Sequence, residues 1–486
     1  MARRIVDREG WLAAAQAGRL VALWGTDRGA GKGCAVSAAH ATAGGLDWVE
    51  LPLGKEDRYP DLSGLFPYAV RMQRAIADLL GLSAEGAEDT RPWLDHGAWT
   101  RRTPLKQISP ELPQRDPADY RFVRVEGDGV HEIPVGPVHA GVIEPGHFRF
   151  SVVGEKVLRL EERLGYTHKG IERRFTELAP LEAHRLAGRV SGDTTVAYAW
   201  AYCAALESAC SVEVPKRAAW LRALALERER VANHLGDLGA LGNDAALAVG
   251  LAHFSRLRED WLRTSRDVFG HRLMMDAVQP GGVAADVSES SARRLREDCE
   301  RLAAELATLR ALYDEHAGLQ DRFVTTGRVT PQLAARLGLT GLAGRASGQA
   351  LDLRCDHPQP PYDSLGVRKV GHRNGDVAAR VFVRFEETAE SLRLIRLLCD
   401  GLPAGAFRAE VSLADGEAFG AGWIEGWRGE VLVALELEGG RIRRCHAHDP
   451  SWQNWPVLEH AVIGNIVPDF PLINKSFNLS YSGHDL

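Results

Sequence analysis

Two short stretches of the chain have the spacing of a metal-binding thiolate pair but contain no cysteine. Ser191 and Thr194 lie three residues apart in the first stretch, and Ser480 and Gly483 lie three residues apart in the second. Soft transition metals bind anionic thiolates, whereas a neutral hydroxyl would have to bind as an alkoxide and a glycine offers no side chain. We therefore expect that these four positions hold no metal of this kind.

The seven cysteines of the chain are scattered, at positions 34, 203, 210, 299, 355, 399 and 445. No two of them are separated by only two or three residues, which is the spacing that a thiolate metal site or a redox pair prefers. An isolated cysteine usually acts as a small buried hydrophobe. The sequence therefore predicts neither a thiolate metal site nor a redox pair.

An imidazole and a carboxylate, His139 and Glu144, lie five residues apart in a segment rich in glycine and proline. A carboxylate in a partly desolvated pocket can have its pKa raised toward neutrality, which suits proton transfer. An imidazole can donate a hydrogen bond or a proton to a bound molecule. The alternative is that both side chains simply hold a β-loop together.

Two weaker patterns have other interpretations. Residues 25–33 imitate a phosphate-binding loop, but five residues separate the outer glycines and Gly33 replaces the Ser or Thr that should bind magnesium. We predict a flexible hairpin or strand connection there. Four residues, Asp193, Asp469, His484 and Asp485, could form a hard-metal site of oxygen ligands, although acidic residues are common at turns.

The composition suggests a multidomain protein without a nucleic-acid partner. The chain has 486 residues and a formal charge of -6, which indicates two or three domains and no basic nucleic-acid footprint. It shows no signal peptide and no apolar run of about 18 residues. We expect a cytoplasmic protein whose contact with a membrane goes through partner subunits.

The local patterns predict an α+β protein with a small N-terminal α/β domain and a large, mainly helical bundle domain decorated by small sheets. We place the first domain at residues 1–102, a Pro-rich linker at 103–119 and the second domain at 120–486. The elements on which this rests are strands at 20–24, 120–126 and 148–160, helices at about 67–80, 217–235 and 253–269, a helix opened by a capping box of Asp286 and Glu289, a short helix at Thr330 and Pro331, and a hairpin or small sheet within 407–444.

An ordered series of motifs carries a family resemblance across residues 120–486. These are Gly136-Pro137-Val138-His139 with Glu144-Pro145-Gly146-His147-Phe148, then residues 165–172, 214–217, 280–283, 345–358 and 454–469. The series resembles the large subunit of group 4 [NiFe]-hydrogenases and the 49-kDa subunit of complex I. Residues 1–102 resemble the 30-kDa complex I subunit, fused in front. In the hydrogenases the two cysteine-free stretches read R-x-C-G-x-C and D-P-C-x-x-C.

The resemblance implies a role for several positions. Glu144 matches the glutamate that carries protons in hydrogenases, and His139 falls in the loop that approaches the quinone headgroup in complex I. Gly192 stands where complex I has its quinone-binding tyrosine. We therefore expect Tyr198 or Tyr202 to approach the cavity that corresponds to the quinone site. The motif residues Arg354 and Asp356 match residues that line the hydrogenase metal pocket, with a buried ion pair as the alternative interpretation.

The resemblance also implies a function. We expect the large subunit of a membrane-associated complex I-like or hydrogenase-4-like complex, which passes electrons from a partner iron–sulfur subunit of the 20-kDa type to quinone or a similar acceptor. Membrane subunits would couple this to ion translocation, on the cytoplasmic side. We expect no [NiFe] centre and no covalently bound cofactor. The alternatives are a non-catalytic coupling subunit, whose pocket would be filled by side chains, and a true [NiFe]-hydrogenase.

Overall fold

The computed structural model describes residues 3–29, 31–54, 56–108, 116, 119–141 and 143–486. The fold class is α+β, as predicted. The N-terminal elements are β1 (Arg3–Ile5), α1 (Arg8–Ala17), β2 (Arg19–Asp27), β3 (Cys34–Thr42), β4 (Gly45–Pro52), β5 (Arg58–Pro60), α2 (Ala69–Leu80) and β6 (Ser83–Glu85). The middle elements are β7 (Val130–Val135), β8 (His147–Val153), β9 (Lys156–Arg163), α3 (Ile171–Phe175), α4 (His184–Ala187), α5 (Thr195–Ala209), α6 (Lys216–Asp244), α7 (Ala248–Phe269), β10 (Val278–Gln279), β11 (Gly282–Val283) and α8 (Glu289–Glu315).

The remaining elements complete the helical part and end in a three-stranded sheet followed by short helices. They are α9 (Ala317–Phe323), α10 (Pro331–Arg336), α11 (Gly341–Ala346), α12 (Leu353–Asp356), α13 (Tyr362–Leu365), α14 (Val377–Asp400), β12 (Glu417–Glu425), β13 (Glu430–Glu438), β14 (Arg441–His448), α15 (Ser451–Ala461), α16 (Phe470–Phe477) and α17 (Tyr481–Asp485). Two 3₁₀ turns, Gly192–Thr194 and Val467–Asp469, precede α5 and α16.

The N-terminal sheet has the strand order β1-β4-β3-β2, with β1 and β4 parallel and the other pairs antiparallel. The predicted strand at 20–24 lies in β2, and the predicted helix is α2, which ends at Gly81 in a left-handed conformation with φ +68°. The segment that imitates a phosphate-binding loop joins β2 to β3, where the Arg28 N–H donates to the Gly33 oxygen at 3.0 Å. It is a strand connection, as predicted, although Ala30 lies outside the described residues.

The predicted linker at 103–119 falls largely on residues outside the description, namely 109–115, 117 and 118. The domain boundaries therefore stay a prediction. The predicted strand at 120–126 is wrong, because these residues form no strand. Tyr120 instead lies under the Arg163 guanidinium, 3.6 Å from the ring centre, and the Val123 N–H donates to the Glu161 carboxylate. Side-chain contacts thus hold residues 120–126 against the protein, in place of the backbone hydrogen bonds of a strand. The predicted strand at 148–160 is the antiparallel hairpin of β8 and β9.

The helical bundle forms where the apolar periodicity indicates. In α8 the predicted stripe of Leu295, Cys299, Leu302, Leu306, Leu309 and Tyr313 is buried. Its N-cap, however, is Ser288, whose side chain accepts from the Ser291 N–H, so the capping box at Asp286 is wrong. Asp286 binds Arg217 instead, at 2.7 Å. Thr330 does cap α10, as predicted.

Helix α5 lies at the centre and packs directly on the sheet of β12, β13 and β14. A helix that is apolar on all sides belongs in a core, and most of α5 is buried. Gly420 and Gly422 of β12 permit the close approach, since a Cβ at either would lie 2.0 Å from the Ala205 or Ala201 carbonyl oxygen. This packing fixes the 3₁₀ turn that precedes α5, and with it the first cysteine-free stretch.

Two apolar clusters join the N-terminal part of the chain to the larger part. Trp24 and Trp48 pack with Trp423 and Leu432 of the β12–β14 sheet. On the other face, α2 shares a cluster with β8, β9 and α15, which includes Phe148. The described elements from both parts of the chain therefore support the two stretches from opposite sides.

Candidate functional site

The two cysteine-free stretches meet in the structure. Ser191 Oγ and Ser480 Oγ lie 2.9 Å apart, in hydrogen-bond contact. Ser191 donates its proton to Asp193 Oδ1 at 2.8 Å, so Ser480 is the donor in the serine pair. Ser480 Oγ also accepts from the Gly483 N–H at 2.9 Å, as the N-cap of α17. This contact brings the two stretches together, and each serine already takes part in hydrogen bonds.

Gly483 has no room for the side chain that a ligand would require. A Cβ built on it would lie 2.5 Å from Asp449 Oδ2 and 2.9 Å from Ser480 Oγ. Asp449 is held in that place by two donors, the Ser451 N–H on Oδ1 and the Tyr198 hydroxyl on Oδ2, both at 2.8 Å. A carboxylate therefore occupies the space that a fourth thiolate would need. Tyr198, a predicted cavity residue, thus contacts the carboxylate that lies against Gly483.

Arg428 supplies the positive charge of the cluster. It lies in the turn between β12 and β13, and its Nη1 donates to Asp193 Oδ1 at 2.7 Å and to Thr194 Oγ1 at 3.0 Å. Its Nε donates to the Asn478 carbonyl oxygen, which belongs to the second stretch. Burial alone would raise the pKa of Asp193, but the Arg428 charge lowers it to about 2. The guanidinium thus joins both stretches by charge-assisted bonds.

We refer to Ser191, Asp193, Thr194, Arg428, Asp449, Ser480 and Gly483 as the inner cluster. The residues present do not fit a four-thiolate metal centre. Each hydroxyl at a ligand position already takes part in hydrogen bonds, and the fourth position overlaps Asp449. In the described part of the chain, no three His, Cys, Asp or Glu side chains are grouped so that they could hold a metal ion.

The residues of the weaker hard-metal alternative are not gathered into one place. Asp193 pairs with Arg428, and Asp469 pairs with Arg322 at 3.3 Å. His484 Nδ1 lies 2.8 Å from Asp485 Oδ1, and Asp485 Oδ2 accepts from the Thr167 hydroxyl at 2.7 Å. These carboxylates are engaged with cations, a histidine and a hydroxyl in three different surroundings.

Residues 136–141 and 143–146, which we call the outer loop, include a contact with the second stretch. Glu144 is exposed, and its Oε2 accepts from the Ser482 N–H at 3.1 Å. The half-buried His139 ring lies 5.6 Å from the Phe148 ring and 6.4 Å from the Tyr481 ring, between centres. Its Nε2 is buried and has no hydrogen-bond partner among the described residues. Burial lowers the pKa of His139, so the ring is neutral near pH 7.

The other predicted cavity residues lie in different surroundings. The Tyr202 hydroxyl donates to the Pro180 oxygen at 2.7 Å, and the ring stacks on Phe175 in the core. Arg354 is buried in ion pairs with Asp352 at 2.8 Å and with Glu227 of α6 at 3.1 Å. Asp356 pairs with Lys369. Arg354 therefore forms a buried ion pair, as the alternative interpretation states, but its partners are Asp352 and Glu227 and not Asp356.

Sequence reasoning missed Arg428 and Asp449, which hold the inner cluster together. Arg428 stands between two glycines in Gly426-Trp427-Arg428-Gly429, a turn joining two apolar strands. A tryptophan in such a turn was the available signal, because solvent-exposed turns rarely carry one. Its indole N–H donates to the Asp193 oxygen at 3.0 Å. Asp449 gave no comparable signal, since an Asp before a proline is common at turns.

Comparisons with known proteins match the chain to two families and to several relatives. The family described as respiratory-chain NADH dehydrogenase, 49 Kd subunit, matches residues 237–418, and the one described as the 30 Kd subunit matches residues 10–112. Formate hydrogenlyase subunit 5 of Escherichia coli (strain K12) is 30% identical over 446 residues, which cover 90% of this chain and 78% of that protein.

Two further relatives extend the comparison. A subunit of the NADH-quinone oxidoreductase of Phocaeicola vulgatus is 27% identical over 406 residues, 79% of this chain and 78% of that one. A chain in the structure of the membrane-bound sulfane sulfur reductase (MBS), an archaeal respiratory membrane complex, superposes with a TM-score of 0.69 and 25% identity. The superposition covers 74% of this chain and 99% of that chain.

These matches define the class of protein, a subunit of an oxidoreductase complex in which regions like the 30-kDa and 49-kDa subunits of complex I are fused. The chain belongs to the family of complex I 49-kDa subunits and membrane-bound hydrogenase subunits, which confirms the resemblance predicted from sequence. Its relatives are subunits of membrane-bound respiratory complexes. Among the helices of the described ranges, none combines the length and the apolar character needed to cross a bilayer.

Proposed function

We propose that this chain is the large subunit of a membrane-associated complex I-like respiratory complex that works without a [NiFe] centre. The observation that supports this is the inner cluster, in which Arg428 and Asp449 fill the space between the former ligand positions. Electrons would arrive from a partner iron–sulfur subunit of the 20-kDa type. Membrane subunits would hold the complex at the cytoplasmic face and couple the reaction to ion translocation.

The outer loop is the part of the site best suited to contact an electron acceptor. Its apolar side chains Val138 and Ile143 are 87% and 50% exposed, as expected of a surface that a partner or ligand covers. The Nε2 of the neutral His139 imidazole has no hydrogen-bond partner among the described residues, and because it is buried, a shift of the outer loop would let it bond with a polar group of the acceptor. A quinone carbonyl suits this arrangement, so we propose that quinone or a similar acceptor binds here, with the iron–sulfur partner as the electron source.

The test is acceptor reduction by the purified complex, with His139→Ala as the variant. We expect the variant to assemble and to lose quinone reduction by about 100-fold, the typical size of a general acid–base or positioning contribution. His131→Ala is the matched control, because His131 is an exposed histidine on β7. A sulfane sulfur compound belongs in the same assay, since one structural relative is a sulfane sulfur reductase. Unchanged reduction of every acceptor would contradict the proposal.

The filled inner cluster also favours a second candidate, a non-catalytic subunit that couples its neighbours. In that case His139→Ala leaves turnover unchanged, whereas Arg428→Met, which breaks the inner cluster, disrupts assembly of the complex. A true [NiFe]-hydrogenase has no support in the geometry of Gly483. Stoichiometric nickel in the purified complex would revive it.

A further inference from the structure

Glu229, on α6, is a buried carboxylate that has no ionic partner. Its side chain is enclosed between α6 and the start of α5, and the residue is 4% exposed. Oε2 accepts from the Val196 N–H at 2.6 Å, and Oε1 accepts weakly from the Ala197 N–H at 3.3 Å. Within the described residues, no Lys, Arg or His forms an ion pair with it. A buried carboxylate without a cation favours its protonated form.

The contrast with Glu227 on the same helix shows that burial alone does not produce this state. Glu227 is also fully buried, but it pairs with Arg354 at 3.1 Å and with Arg230 at 3.5 Å, and it accepts from the Tyr362 and Ser391 hydroxyls. These contacts lower the pKa of Glu227 below its usual value. Glu227 is thus a fixed charge, whereas Glu229 is a group that can change its charge.

A small cavity connects Glu229 with its surroundings. Its volume is about 10 Å³, close to the space that one water molecule requires. It is lined by the Gly192–Thr194 turn, by α6 and by the α7 side, including Gly192, Asp193, Asn233, Ser265 and Arg272. Arg272 is exposed. The cavity therefore extends from the carboxyl group to a residue at the protein surface, and its wall combines polar groups with the apolar side chains of Ala232, Leu262, Leu273 and Met274.

We infer that Glu229 is a proton-exchange site, whose carboxyl group takes up and releases a proton through this cavity, directly beneath the turn that carries Asp193. The inference goes beyond the proposed function and does not depend on the identity of the acceptor. The charged groups that face Glu229 are Asp193 on the turn, Arg230 on its own helix, and Arg258 and Arg272 on the α7 side. Burial, together with the Asp193 charge, raises its pKa to about 8, against the two backbone N–H donors and Arg230.

Infrared difference spectra of the purified full-length chain, wild type minus Glu229→Gln, test this assignment. We expect a protonated carboxyl C=O band at pH 6 that disappears with a midpoint near pH 8. Glu259→Gln is the control, since Glu259 is partly exposed and bound by Arg272 and Arg263, which lower its pKa to about 2. It should give no such band. A missing Glu229 band at pH 6, or a midpoint near the ordinary value of about 4, overturns the inference.

The exchange route is tested by transfer into D₂O, which shifts the same band. Ala232→Val, which adds two methyl groups at the cavity wall, should slow the shift at least tenfold without removing the band. If that variant folds poorly, Gly192→Ala serves instead, because its Cβ would lie 3.5 Å from Met275 Cε without overlap. An unchanged rate in a folded variant would show that the proton does not pass through the cavity and would reject the route.

Discussion

The inner cluster and the outer loop lie next to each other but differ in almost every physical respect. In the inner cluster, Arg428 is buried and forms hydrogen bonds with both cysteine-free stretches. In the outer loop, Glu144 is exposed and accepts one backbone hydrogen bond, and His139 keeps a ring nitrogen without a partner among the described residues. The polar side chains of the inner cluster form hydrogen bonds with one another, whereas the outer loop has a ring nitrogen that forms none with the described residues.

This difference teaches where stability and reactivity are located. Buried charges that are paired and hydrogen-bonded tolerate little change, because the loss of one partner leaves the other desolvated. Groups on an exposed loop can be altered with little cost to the fold. The buried Arg428 and its carboxylate partner therefore hold the two stretches together. The outer loop and Glu229 lie outside this network of bonds.

The largest expected effect comes from breaking the inner cluster. Arg428→Met removes the bonds to Asp193, Thr194 and the Asn478 oxygen, and we expect the free energy of unfolding to fall by about 4 kcal/mol. Urea unfolding of the purified chain measures it. The side chain of Asp193 is 35% exposed, which keeps the expected loss below the upper end, about 5 kcal/mol, of the range for a fully buried pair.

The matched control is Arg185→Met, on an arginine whose pair with Glu182 is exposed on both sides. Exposed pairs contribute roughly 0 to 1 kcal/mol. Similar losses for Arg428→Met and Arg185→Met would show that the inner cluster contributes no more than a surface pair, and the contrast with the outer loop would disappear.

The second effect is a pH dependence of stability that arises at Glu229, next to the inner cluster. Because the folded pKa of Glu229, about 8, lies above the unfolded value, its protonated form stabilises the fold at low pH. That stabilisation is complete below about pH 4 and is lost as the pH rises through 8. We expect the difference in unfolding free energy between wild type and Glu229→Gln to fall by about 4 kcal/mol from pH 5 to pH 9. A difference that stays constant with pH would contradict this.

The sequence predicts the scaffold of the site better than its contents. The apolar stripe of α8 and the ordered motifs identify the helices, and the motifs bring Ser191 and Ser480 to one place, as the 2.9 Å contact shows. These features depend on local periodicity or on a family resemblance. Gly483 stands out in the sequence only as a lost ligand, whereas the structure shows the Asp449 carboxylate against it.

What the sequence misses are contacts between residues far apart in the chain. Arg428 and Asp193 are 235 positions apart, and no periodicity connects them. The same holds for Glu229, because its state depends on the absence of a cation in three dimensions, whereas Glu227 two positions earlier has two. Tyr202 lies one helix turn after Tyr198, and the sequence predicts either tyrosine beside the quinone cavity. In the structure, however, the Tyr202 hydroxyl donates to the Pro180 oxygen.

A third, smaller effect tests how tightly the inner cluster is filled. Gly483→Ala places a methyl group against Asp449 Oδ2, so the carboxylate must move and weaken its bond with Tyr198. We expect a loss of about 2 kcal/mol in the free energy of unfolding, the usual size for overpacking. Gly64→Ala is the control, because no atom lies within 4 Å of a Cβ there. Equal stability of the two variants would mean that the space beside Gly483 is open.

The smallest expected effect on stability is at the outer loop, where the effect on turnover should be the largest. Glu144→Gln keeps an oxygen that can accept from the Ser482 N–H, and the side chain is exposed, so unfolding should change by less than about 0.5 kcal/mol. The amide cannot carry a proton, however, so acceptor reduction by the complex should fall by about 100-fold. If Glu144→Gln instead destabilises the chain as Arg428→Met does, the outer loop is part of the closed cluster. If stability and turnover are both unchanged, the carboxylate does not handle protons, and Glu229 is left as the group in this region that does.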